Sequence, residues 1–134
     1  MKKISFRTPY WDYDVTLIQV ESDKDSNDVC RYLAKAGVSE ESISSVRENI
    51  EKRYVNGGEV NWNSSTKRII GIFYEFLTDD DKVNVYSHEK RHIEDRVLQH
   101  CRVDDIETSA YFAGYLGVKF LRLWNETRKE ADRT

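Results

Sequence analysis

Arg68 to Phe76 is the segment that most constrains this chain. In an extended conformation successive side chains point to opposite faces. Ile70, Ile72, Tyr74 and Phe76 then fall on one face, and Ile69 and Phe73 on the other. A strand that is apolar on both faces needs cover on both, so packing elements must reach each side of a sheet. The 134 residues suffice for one modest core and one domain, residues 1–134. No Gly/Ser-rich linker or internal repeat divides them.

The other segments supply the cover. Tyr13 to Val20 alternates Tyr13, Val15 and Leu17 against Asp14 and Thr16, a strand pattern. Glu59 to Trp62 reads as a strand joined to Arg68–Phe76 by the polar turn Asn63 to Thr66. Asp28 to Ala36 places Val29, Tyr32, Leu33 and Ala36 on one helical face, with Gly37 suited to end it. Ser39 can cap a second helix, with Val38 and Ile43 as a hydrophobic staple and Ile43, Val46 and Ile50 as its stripe. Asn56-Gly57-Gly58 stops it. A third helix spans roughly Lys82 to Cys101, and a fourth runs from an Asp104 cap to about Arg128. Lys129 to Thr134 reads as a solvated tail. The expected fold is α+β, a small antiparallel sheet packed with about four helices.

Composition narrows the function classes. Net charge is −3, from 21 basic and 24 acidic residues, so no global basic excess points to nucleic acid. The local cluster Lys90, Arg91, Arg96 and Arg102 is interleaved with Glu89, Glu94 and Asp95. No apolar run approaches the ~18 residues of a membrane span, and no apolar stretch of a secretory signal follows Met-Lys-Lys-Ile. Cys30 and Cys101 are expected to be reduced thiols of a cytoplasmic protein.

The third helix contains His88-Glu89-Lys90-Arg91-His92. Positions i and i+4 project from one helical face, so two imidazoles there can reach one metal ion. The intervening glutamate falls beside the metal, where it can take a proton from coordinated water. With three histidines and twelve glutamates in the chain, random placement gives roughly 0.006 such motifs, so composition alone does not explain it. The competing reading is a salt-bridged solvated face, because Lys90 and Glu94, and Arg91 and Asp95, are i,i+4 pairs. A catalytic zinc site needs a third protein ligand. Glu107 follows His92 by fifteen residues, in the first turn of the fourth helix; its other reading is a capping box with Asp104. Asp95, three residues after His92, is the rival ligand. His100 reads as a surface histidine near a helix end, or as a proton donor. Tyr111 and Tyr115 read first as core aromatics.

H-E-x-x-H followed by Glu107-Thr108-Ser109-Ala110-Tyr111 on a later helix resembles the gluzincin class of zinc metallopeptidases. The nearest likeness is to small metallopeptidases of phages and mobile elements, and more distantly to ImmA/IrrE-like peptidases. It covers roughly Arg68 to Leu121. The resemblance implies a zincin-like metal helix and glutamate helix, with Zn2+ held by His88, His92 and Glu107 and Glu89 as general base. It also implies a peptide or protein substrate, laid as an added strand along Arg68–Phe76. The gap from His92 to Glu107 is shorter than in large gluzincins, and Tyr111 stands where larger relatives carry an acidic residue. The expected function is therefore zinc-dependent peptide hydrolysis. The alternative is a metal-stabilised regulatory or protein-interaction module without turnover.

Overall fold

In a computed structural model, which describes residues 1–131, the fold is α+β with four helices and one four-stranded sheet. The strands are β1 (Lys2–Arg7), β2 (Asp14–Gln19), β3 (Gly58–Asn63) and β4 (Arg68–Phe73). The helices are α1 (Ser26–Lys35), preceded by a 3₁₀ turn at Asp23–Asp25, α2 (Glu40–Glu51), α3 (Asp79–His100) and α4 (Ile106–Ala131). The fourth helix thus runs past Arg128 into the expected tail, and 132–134 lie outside the described residues. No helix among them is long and apolar enough to cross a membrane.

The sheet order is β1-β2-β4-β3, and it is mixed, not antiparallel. β1 pairs antiparallel with β2, and β3 antiparallel with β4, but β2 and β4 pair in parallel, Val15 opposite Ile69 and Leu17 opposite Gly71. The expected β3–β4 hairpin exists, yet it inserts its second strand beside β2. The connection from β2 runs through α1, α2 and β3, and because β3 is antiparallel to β4, β4 returns in the direction of β2.

Both faces of β4 are covered, although the strand ends at Phe73 and Phe76 packs with the core of Ile69, Phe73 and Tyr86 instead of with Ile70, Ile72 and Tyr74. Ile70, Ile72 and Tyr74 join Ile18, Val20, Val29, Leu33, Val46 and Ile50 in a core under α1 and α2. Ile69 and Phe73 join Val15, Leu17, Tyr86, Ile93, Val97, Phe112, Leu116, Phe120 and Leu123 in a second core under α3 and α4. Each fully buried Ile, Leu or Phe contributes about 1.5–3 kcal/mol of transfer free energy, so β4 is stabilised from both sides. Buried Gln19 ties the layers together. Its amide donates to the carbonyls of Val20 and Tyr74, both at 2.9 Å, and its carbonyl accepts from the Tyr86 hydroxyl at 2.7 Å.

Caps define the helix ends. Ser39 Oγ accepts from the Ser42 amide, and Thr78 Oγ1 from the Asp81 amide. Asp105, not Asp104, caps α4: its carboxylate accepts from the Thr108 amide at 2.9 Å and the Thr108 hydroxyl at 2.5 Å. Those two bonds, the hydroxyl first, hold the Asp105 carboxyl below its ordinary pKa. α1, α2 and α3 each end in a Schellman turn. For α3, the Val103 amide donates to Leu98 and the Arg102 amide to Gln99, with Arg102 at φ 55°.

Gly58 is where α3 comes down onto β3. A Cβ there would lie 3.0 Å from the Ile72 carbonyl oxygen, 3.1 Å from Val85 Cγ1 and 3.2 Å from Glu89 Cγ. The carbonyl belongs to the central strand and cannot yield. Gly58→Ala is expected to destabilise the fold by about 1–3 kcal/mol, read as a lower urea midpoint at unchanged slope. An unchanged midpoint would show that β3 and α3 are free to separate.

Candidate metal centre on α3

α3 buries Tyr86, Glu89, Ile93, Glu94, Val97 and Leu98. This face is set by packing on β4 and α4, and it leaves His88 and His92 exposed on the flank next to β3, an edge strand. The two imidazoles converge one turn apart. Their Nε2 atoms are 3.1 Å apart, with the rings nearly perpendicular at 83°. Two nitrogens on one tetrahedral zinc at ~2.0–2.1 Å stand ~3.3 Å apart, so the pair already has close to the required bite. Glu89 Oε1 lies 3.9 Å from His88 Nε2. His88, Glu89 and His92 together form a group that can hold a metal ion, their ligand atoms all within 4.8 Å of one another.

Glu89 differs from its histidine neighbours in being buried, at 6% exposure. Desolvation raises its pKa above the ordinary glutamate value, partly countered by His92 and His88 and reinforced by Glu59 on β3. Burial disfavours the carboxylate and so favours a bound proton. Neither Glu59 nor Gly58 has a signal in the sequence pointing to this site, because their proximity arises from how β3 packs against α3.

Glu107 lies outside this group. α4 runs antiparallel to α3 in a register fixed by three contacts. Arg128 pairs with Asp79 at 2.9 Å, the Lys82 ammonium donates to Thr127 Oγ1 at 2.6 Å, and Gly117 lies against Lys90. Continued toward the turn, this register sets exposed Glu107 level with His100, roughly 12 Å of helix beyond His92. The face is also wrong. His88 and His92 lie about 200° around the helix from Lys90, so they point away from α4. The Schellman turn at Arg102 sends α4 down the far side of α3.

Asp95 shares the histidine flank but pairs with Arg91 Nε at 3.3 Å. The expected Lys90–Glu94 pair is present at 2.9 Å, and Glu94 is buried rather than solvated. Further along α3, the Arg96 guanidinium lies 4.7 Å over the Trp62 ring. His100 is not a bare surface residue: its Nδ1 shares a hydrogen bond with the buried Tyr13 hydroxyl, and its ring meets Trp62 edge-on. Tyr111 is 61% exposed and so not a core aromatic, whereas Tyr115 packs against Phe6 and donates to the Arg7 carbonyl. Arg68–Phe73 is an interior strand and has no free edge to receive a peptide; β3 has one.

No protein-family model, curated protein or solved structure matches the chain. The geometry of α3 and β3 therefore carries the functional reading.

The purified chain is expected to take up about one divalent ion, measured by titration with zinc or cobalt(II). His88→Ala and His92→Ala should each cost more than the ~10–100-fold lost with an outer-sphere partner. Asp95→Ala should weaken uptake more than Glu107→Ala. The reverse order would show that α4 reaches the histidine flank when metal binds.

Proposed function

We propose that the chain is a zinc-dependent peptide hydrolase, with His88 and His92 holding the ion, Asp95 on the same flank as the third ligand, and Glu89 serving as general base. The observation that carries this reading is the convergence of both Nε2 atoms at 3.1 Å with the Glu89 carboxylate in the same group. A purely structural site has no need of a buried carboxylate beside two exposed imidazoles. When bound, zinc supplies Lewis acidity at a carbonyl and lowers the pKa of a coordinated water. Glu89 accepts a proton at its carboxylate and hands it to the departing amine. Its anchorage over Gly58 keeps that carboxylate beside the histidines.

The free edge of β3 supports a peptide substrate. An extended peptide can pair with Gly58–Asn63 and run past the histidine flank of α3, held by main-chain hydrogen bonds. β3 takes the role that the resemblance gave to Arg68–Phe76. The free thiols Cys30 and Cys101 accord with a reducing, cytoplasmic setting.

A second reading, a metal-stabilised interaction module without turnover, is favoured by one observation: Glu107 stands apart, so the group contains a single carboxylate. Glu89→Gln separates the two. It removes the proton acceptor while nearly preserving shape, so metal content and fold should persist. Hydrolysis of a mixed peptide library, followed by mass spectrometry, should fall by ~10²–10⁴-fold. Equal cleavage by wild type and Glu89→Gln would remove Glu89 from the mechanism. A zinc-loaded wild type that cuts nothing would favour the interaction module.

A further inference from the structure

α4 carries apolar side chains on two opposite faces. Phe112, Leu116, Phe120 and Leu123 are buried in the core beneath it. Tyr111, Val118 and Leu121 are 61%, 52% and 58% exposed. At ~100° per residue, these three fall with Glu107, Gly114 and Asn125 on the side opposite the core stripe. Their spacing alternates between four and three residues, the pattern of a helix–helix seam. One apolar stripe suffices to dock a helix on its own domain; a second calls for a second partner. The apolar surface continues onto α3, where Val83 lines a groove with Gly117, Phe120, Leu121 and Trp124.

We infer that this face pairs with α4 of a second copy of the chain, in an antiparallel two-fold helix pair crossing at Gly114. The charge pattern selects that partner and that direction. The stripe begins at Glu107 and is flanked at its other end by Arg122. Antiparallel pairing about Gly114 brings Glu107 of each copy to Arg122 of the other, and Tyr111 of each to Val118 of the other. Parallel pairing would set Glu107 against Glu107. The contact is self-complementary, as a closed two-fold dimer requires. Nothing lies within 4 Å of the position a Cβ on Gly114 would take, so the bare backbone at the crossing leaves room for close helix approach. The stripe is on α4 while His88 and His92 point away from α4, and the inference is independent of the metal site.

Sedimentation equilibrium of the full chain over about 1–100 μM tests this. The wild type is expected to show a monomer–dimer equilibrium. Val118→Glu and Leu121→Glu, at exposed positions, should each raise the dimer Kd by at least ~10-fold with unchanged circular dichroism. Glu107→Arg and Arg122→Glu should each weaken the dimer, and the double exchange should restore it to within ~3-fold of wild type. A wild type that stays monomeric throughout leaves the face to a different partner and overturns the inference. So does a dimer indifferent to Val118→Glu. Single exchanges that weaken without recovery in the double variant overturn the antiparallel register.

Discussion

Burial of β4 on both faces is the constraint from which the rest of this architecture follows. A central strand with Ile69 and Phe73 on one side and Ile70, Ile72 and Tyr74 on the other leaves a large apolar area in water unless two helical layers close on it. Two helical layers must therefore flank the sheet. The chain supplies them as α1–α2 and α3–α4, each pair short-linked and antiparallel. β2, apolar on both faces at Leu17 and Ile18, takes the other central place, and β1 and β3 become the edges.

The candidate metal centre is a by-product of that layering. α3 has to turn Tyr86, Ile93 and Val97 toward the sheet and Lys90 and Glu94 toward α4. A helix has only so much circumference, so the remaining flank, at His88 and His92, faces solvent beside β3. Glu89 lies between the buried and exposed sectors. It is close enough to the sheet to lose water and close enough to the imidazoles to share a ligand with them. The burial that raises its pKa and the neighbours that lower it come from the same packing decision.

Much of this was legible in local sequence. Ser39, Val38 and Ile43 announce α2, and the histidine motif sits mid-helix where its spacing has meaning. Two features were not legible. β1 escaped because Lys2, Lys3, Ser5 and Arg7 leave only Ile4 and Phe6 as apolar signal, which suits an edge strand with one face in water. Parallel pairing of β2 with β4 escaped because a hairpin reads as antiparallel whichever strand ends up inside. Glu107 stands apart from the histidines for a different reason. Its motif spacing matched a known pattern, but its position depends on the α3–α4 turn. That turn places Arg102, a non-glycine residue, at positive φ, and nothing in the residue type signals it.

The two long helices divide their solvent faces by chemistry. α3 turns charge and imidazole outward, so its exposed flank is well hydrated and offers donor atoms. α4 turns Tyr111, Val118 and Leu121 outward, and a chain with net charge of only −3 has little electrostatic repulsion to keep such faces apart. Hydration of that stripe has a free-energy cost that packing within the domain cannot relieve, because both helical layers are already committed to β4. The apolar stripe and the histidine flank are thus consequences of one geometry. With the sheet satisfied on both faces, whatever remains on the outer helix surfaces is available for contacts beyond the domain.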